Sequence, residues 1–147
     1  MSLKNWQENG WLSEHKTSRQ EIKELLGVAD RDLKECRVEG LSPDWQLAIA
    51  YNAALQLAVA ALAASGYRAS RESHHFRAIQ SLRYTIELDP ASIDLFDSFR
   101  KKRNIGGYER AGAASAQEAK EMVAFAQKLR TDIEEWLRSK HHDLFKG

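Results

Sequence analysis

An apolar segment of 18 residues, Leu47 to Ala64, limits the folds open to this chain more than any other feature. Nine of its positions are alanine and none is charged. Alanine is the strongest helix former, and the polar residues Asn52 and Gln56 disfavour a membrane span. We therefore expect a central core helix whose small side chains let neighbouring helices approach closely. The same small residues also suit an interface between subunits.

The residues on either side of this segment predict where the helix begins and ends. Ser42 can cap free amide groups, Pro43 suits the first helical position, and Asp44 complements the positive end of the helix dipole. Gly66 supplies the left-handed residue that commonly follows a helix. The predicted helix therefore extends from Pro43 to about Ser65.

Length and composition favour one helical domain. The chain has 147 residues, of which 43% are hydrophobic and 29% charged, as in ordinary globular proteins. Only two prolines and eight glycines interrupt it, which favours long helices over short strands. We expect an all-α, antiparallel up-and-down bundle of four to five helices across residues 1–147. Its core should span about 18–140, with 1–16 as an arm or short helix.

Four further helices follow from apolar spacing and capping residues, and no alternating strand pattern is present. The first is expected over 17–37, with an apolar stripe that includes Cys36. Another should begin at Ser70 or Ser73 and end near Leu88. The next should be capped by Ser92 and include the core residues Phe96 and Phe99. The last opens with a capping box, Ser115 and Glu118, and extends to about Lys140.

Cysteine content and the amino terminus bear on the cellular setting. Cys36 is the only cysteine, so no internal disulfide or cysteine-based metal cluster can form, and its simplest role is that of a small buried apolar residue. The first residues lack the continuous apolar run of a secretory signal. We expect a cytoplasmic protein that requires no membrane, cofactor or metal ion.

A basic segment, Phe99 to Arg110, stands out in a chain whose formal net charge is only +1. It holds five arginine or lysine residues and one glutamate, and it contains a glycine pair, Gly106 and Gly107, expected to break the helix. On a helix, Arg100, Arg103 and Asn104 share one face. Two guanidinium groups and a carboxamide on one face match the oxygens of a phosphate.

A purely structural interpretation of this segment is also open. Cations near the carboxyl end of a helix stabilise its dipole and can pair with Asp94, Asp97 or Glu109. Asparagine and glycine often end helices without any ligand. Under either interpretation, Lys101 and Lys102 point away from the proposed phosphate-binding face and are expected to be solvated.

The segment from Arg103 to Tyr108 resembles the arginine-polar-x-x-x-histidine motif of HEPN domains, the all-α domains of many prokaryotic RNase toxins. The stretch from Tyr51 through Gly66 to His74 and His75 is similar to the second and third helices of such domains. The resemblance covers about residues 18–140 and is greatest to small, stand-alone bacterial HEPN proteins. In this chain, tyrosine stands where the family carries histidine.

The resemblance implies a metal-independent endoribonuclease that acts as a homodimer, with two motifs facing one shared cleft. Arg103 would stabilise the scissile phosphate, Asn104 would hold the backbone, and Arg100 would add a phosphate contact. Tyr108 would occupy the position of the family's proton-transferring histidine. An unperturbed tyrosine, with a pKa near 10, is protonated at neutral pH and is a poor general base.

Four other histidines could supply the missing base. We consider His74 and His75 as auxiliary residues, and His141 and His142 form a second pair whose position the sequence does not fix. Their alternative role is that of ordinary helix-end or surface residues. The alternative function is a catalytically degenerate HEPN module, an interaction or antitoxin-like subunit paired with a nucleotidyltransferase-type protein.

Overall fold

The computed structural model describes residues 1–108 and 113–145, except for the side chains of 105–108. The described part of the chain is mostly helical, with 74% of its residues in helices and two short antiparallel strands. The expectation of a mainly α-helical fold is therefore confirmed. The elements of the described chain are α1 (Leu3–Glu8), β1 (Leu12–Glu14), α2 (Arg19–Glu35), α3 (Pro43–Ala64), β2 (Tyr67–Ala69), α4 (His74–Thr85), α5 (Pro90–Tyr108), α6 (Ala116–Lys140) and α7 (His142–Phe145).

The apolar segment forms α3, whose ends lie close to those predicted. The Ser42 hydroxyl accepts a hydrogen bond from the Trp45 amide at 3.2 Å, and Pro43 occupies the first turn. After the helix ends at Ala64, Gly66 adopts φ +97°, a left-handed conformation that glycine accommodates without a side-chain clash.

The position of α3 is central, as predicted, because it packs against α2, α4, α5 and α6. Among the described residues, α3 is the one helix long and apolar enough to cross a membrane by length and composition, with mean hydropathy 1.8. Its most apolar window is 67% buried inside the protein, as in the core helix of a soluble protein. The core around α3 includes Ile22, Leu26, Ala29, Leu33, Cys36, Tyr51, Leu57, Ile79, Phe96, Phe99, Met122 and Ile133.

Capping explains where two of the other helices begin. The capping box predicted for the last helix is present at the start of α6, where Ser115 accepts from the Glu118 amide and Glu118 accepts from the Ser115 amide. Helix α5 begins earlier than expected, because Asp89 accepts from both the amide and the hydroxyl of Ser92. The prediction that Ser92 itself caps this helix is therefore wrong, and Pro90 occupies the first helical position.

The glycine pair does not end α5, which continues to Tyr108. Glycine lowers the stability of a helix by about 1 kcal/mol per residue but does not prevent helical geometry. The expected break at Gly106 and Gly107 is therefore also wrong.

The amino-terminal arm folds onto the bundle through a short hairpin that the sequence did not predict. β1 pairs antiparallel with β2, with Leu12 opposite Ala69. Three-residue strands are too short to show a repeating alternation, which is why the pattern was absent. Trp6 on α1 is buried and makes an edge-on contact with Tyr84, and Trp11 stacks beneath the guanidinium of Arg77 at 3.8 Å. The tryptophans therefore anchor the arm.

Core packing around α3 can be tested with one matched pair of substitutions. Leu57 is fully buried, and Leu57→Ala should lower the free energy of unfolding by about 2–5 kcal/mol because it leaves a cavity. Leu95 is 41% exposed on α5, and Leu95→Ala should change it by about 0.5 kcal/mol or less. Urea unfolding measures both values, and equal losses would contradict the assigned core.

Candidate functional site

Three of the four consecutive cations on α5 have acidic partners. The Nε of Arg100 lies 2.7 Å from Oδ1 of Asp97, and the Nζ of Lys101 lies 3.6 Å from Oδ2 of the same carboxylate. The pairing with Asp97 that the structural interpretation predicted is therefore confirmed. Lys102 lies 3.2 Å from Glu118 and donates to the carbonyl of Ala113. The prediction that Lys102 is simply solvated is wrong.

Arg103 has a different environment. Among the described residues, no carboxylate oxygen lies within 4.0 Å of its guanidinium. Its central carbon lies 5.8 Å from the centroid of the Tyr51 ring on α3, within the range of a cation–π contact. This contact orients the side chain and leaves the donors at the rim of the guanidinium available for an anion.

Tyr51 links α3 to the start of α4. The residue is only 1% exposed, and its hydroxyl lies 3.1 Å from Nδ1 of His75. Burial raises the pKa of the phenol, although the positive charges of Arg103 and Arg100 oppose this effect. The hydroxyl therefore stays protonated at neutral pH, and as a buried tyrosine it needs a hydrogen-bond partner. His75 is that partner.

A tight turn places His75 at the beginning of α4. Ser73, immediately before the helix, adopts φ 57° and ψ 32°, a left-handed conformation that is strained for a residue with a side chain. Burial lowers the pKa of His75, and the charges of Arg103, His74 and Arg100 lower it further. The imidazole is therefore neutral at pH 7.

The direction of the hydrogen bond between His75 and Tyr51 determines whether Nε2, the other ring nitrogen of His75, donates or accepts a proton. If the Tyr51 hydroxyl donates to Nδ1, Nε2 carries the proton and can only donate. If Nδ1–H donates to the tyrosine oxygen, the lone pair of Nε2 is free to accept a proton. The second tautomer makes His75 a positioned neutral base.

The structure gathers some of the predicted residues and separates others. The positive charges of Arg100 and Arg103 on α5 act to lower the pKa values of both Tyr51 and His75. We call these four residues the α5 cationic site. Asn104 is exposed one position beyond Arg103. The side chain of Tyr108 lies outside the described residues.

The other three histidines of the two predicted pairs have different surroundings, although the ring centroid of His74 lies only 6.0 Å from that of His75. His74 lines a separate cavity next to Arg68, and both burial and the charge of Arg68 lower its pKa. The ring of His141 packs 4.6 Å from that of Trp136, and His142 opens α7. His74 therefore lines this separate cavity, whereas His75 contacts Tyr51.

Sequence reasoning did not select Tyr51 as a site residue. Its position within the alanine-rich segment is typical of a core residue, and only the packing of α3 against α4 and α5 shows its polar contacts. One signal was available, since a phenol within a mainly apolar helix needs a hydrogen-bond partner when it is buried.

The chemistry available at the α5 cationic site is that of anion binding and proton transfer. In the described part of the chain, no group of three or more histidine, cysteine, aspartate or glutamate residues could hold a metal ion. Two guanidinium groups beside a neutral imidazole can bind a phosphate and accept a proton from a neighbouring hydroxyl.

Comparison of the chain with protein-family models, with curated proteins and with solved structures finds no match. The resemblance to HEPN domains therefore depends on the residues of the motif themselves.

The environment of His75 predicts a pH-dependent stability. Because its pKa is lowered in the folded protein, the unfolded chain binds the proton more tightly, and stability falls as pH decreases through the unfolded value near 6.5. We expect the urea midpoint to decrease between about pH 7.5 and about pH 5.5, and His75→Gln to reduce this decrease. The exposed His142→Gln controls for loss of a histidine. An unchanged pH dependence in His75→Gln would contradict the assigned burial.

Proposed function

We propose that this chain is a HEPN-like cytoplasmic protein that binds RNA through the α5 cationic site and cleaves it without a metal ion, acting as a homodimer. The observation that carries the proposal is the arrangement of Arg103, Tyr51 and His75. A guanidinium without a described carboxylate partner lies against the ring whose hydroxyl holds a neutral histidine.

Arg103 is the main phosphate ligand in this proposal. Its planar group can make two hydrogen bonds to the nonbridging oxygens of one phosphate, and these bonds strengthen as charge develops on the phosphorus centre. Arg100 adds positive charge, but its Nε already forms an ion pair with Oδ1 of Asp97 at 2.7 Å. Asn104, exposed beside Arg103, supplies a carboxamide to the RNA backbone.

His75 takes the place of the histidine that the motif lacks at Tyr108. Nε2 accepts the proton of a ribose 2′-hydroxyl while the 2′-oxygen forms a bond to phosphorus. The bond from phosphorus to the 5′-oxygen breaks, and that oxygen takes a proton from a water molecule. The hydroxide left by that water takes the proton from His75, which returns to its neutral form. The products are a 2′,3′-cyclic phosphate and a 5′-hydroxyl. Tyr51 acts as a positioning residue that holds the ring of His75, and cleavage uses the tautomer in which Nδ1–H donates to the tyrosine oxygen.

A second function is favoured by two observations on the same segment. Tyrosine replaces histidine at position 108, and one of the two arginines is already engaged by a carboxylate. A degenerate HEPN module would use the bundle to hold a protein partner of the nucleotidyltransferase type. Its binding surface would not depend on Arg103.

RNA binding should depend on Arg103 more than on its neighbour Lys101. Loss of a charge-assisted contact in Arg103→Ala should weaken binding about tenfold. The side chain of Lys101 is 67% exposed, and Lys101→Ala removes the same charge with a change of about twofold or less. Fluorescence anisotropy with a labelled single-stranded RNA at low salt measures both, and equal effects would contradict a specific phosphate contact.

Cleavage separates the two proposed functions. We expect the protein to cut RNA in the presence of EDTA and to leave 2′,3′-cyclic phosphate ends, detected by mass spectrometry. His75→Gln should abolish cutting but retain RNA binding, because Arg103 remains. Intact RNA, together with co-purification of a nucleotidyltransferase-type partner that Arg103→Ala does not disturb, would support the degenerate module and contradict the ribonuclease.

A further inference from the structure

A cavity of about 280 Å³ lies between the β1–β2 hairpin and helices α2, α3 and α4. It does not include Arg100, Arg103, Tyr51 or His75 and is therefore separate from the α5 cationic site. Much of its lining is aliphatic and is contributed by four different elements. These apolar residues are Leu25, Val59, Leu62, Ala63, Ala69 and Ala78.

The polar residues of the cavity carry more positive than negative charge. Arg68 on β2 and Arg71 just after it are exposed at the cavity, and His74 lies beside them. Among the described residues, neither guanidinium lies within 4.0 Å of a carboxylate oxygen. Both groups are therefore available to an anion that enters the cavity.

The one carboxylate of the cavity, Glu21, is held by its own hydrogen bonds. Oε1 of Glu21 accepts from the Thr17 hydroxyl at 2.6 Å and from Nε2 of His15 at 2.7 Å. These bonds, the first of them most strongly, lower the pKa of Glu21 and keep the carboxylate ionised. The positive charge of Arg68 also lowers the pKa of Glu21, so groups of the protein already compensate this carboxylate, and the two arginines outweigh its single negative charge.

We infer that this cavity binds a small organic anion with an apolar body. The hydrocarbon would lie on the aliphatic lining, and a single carboxylate or phosphate monoester head would contact Arg68 and Arg71. A few polar groups converging on an apolar cavity are typical of small-molecule sites. The arginine fork suits both head groups. This inference is independent of the proposed ribonuclease, since the two sites share no residue.

Octanoate, octyl phosphate, octylamine and acetate are the probes that test the inference. In ¹H–¹⁵N spectra, octanoate or octyl phosphate should shift the amide resonances of Leu62, Ala69 and Ala78. The probe that binds with higher affinity identifies the preferred head group. Acetate lacks the hydrocarbon, and since each buried methylene contributes about fourfold in affinity, it should bind at least about 100-fold more weakly. Octylamine should not bind at the cavity.

Substitutions locate the binding and control for charge. Val59→Phe should occupy part of the cavity and weaken the shifts, whereas Val38→Phe, at a position 57% exposed, should leave them unchanged. Arg68→Gln combined with Arg71→Gln should weaken octanoate or octyl phosphate at least about tenfold without disturbing the core. Arg83→Gln combined with Arg138→Gln removes the same charge elsewhere and should have little effect.

Three results would overturn the inference. They are octylamine binding as tightly as octanoate, equal octanoate affinity in the Arg68/Arg71 double variant and its control, and shifts confined to residues outside the cavity. If Val59→Phe fails to fold, the double arginine variant alone decides, because both its positions are exposed. RNA binding plays no part in these measurements, so failure here leaves the proposed function standing.

Discussion

Burial of α3 on nearly every side is the constraint on which the rest of the fold depends. A helix can contact four others at close range only if its side chains are small, and nine of the 18 residues from Leu47 to Ala64 are alanine. Few side chains on such a helix can be both large and polar. Tyr51 is one of the few, and it is the largest of the fully buried side chains named for this core.

The candidate site is built around the buried side chain of Tyr51. Its ring packs against Phe96 within the core, while its hydroxyl requires a hydrogen-bond partner that the apolar helix cannot supply. The turn at Ser73 brings His75 to that hydroxyl, and α5 places Arg103 over the same ring. Three helices thus meet at one buried tyrosine. The resulting site combines a positioned neutral imidazole with a guanidinium available to an anion.

Local chemistry explains which parts of the fold could be predicted from the sequence. The bounds of α3 followed from Ser42, Pro43 and Gly66, and the start of α6 followed from its capping box, since each signal acts within a few residues. The cap of α5 was misplaced because Asp89 and Ser92 are both good capping residues. The hairpin was missed because β1 and β2 pair across more than 50 residues of chain and are each only three residues long.

The candidate site was only partly predictable for a related reason. Arg100 and Arg103 both lower the pKa of His75. Their position on one helix face follows from their spacing of three residues, which can be seen in the sequence. That Asp97 neutralises part of this charge was foreseen as one of several pairings. The contact between Tyr51 and His75, 24 residues apart, depends on how α3 packs against α4, and no local pattern specifies it. That His74 lines a separate cavity while His75 contacts Tyr51 likewise depends on the tertiary fold.

The pKa of His75, followed by NMR in the parent protein and in Arg103→Ala, reports whether Arg103 and His75 form one site. We expect His75 to titrate below the ordinary value near 6.5, and its pKa to rise when the charge of Arg103 is removed. Lys101→Ala, which removes a charge from the exposed side of the same helix, should have a smaller effect. A His75 that titrates at or above 6.5, or whose pKa does not respond to Arg103→Ala, would contradict the site described here.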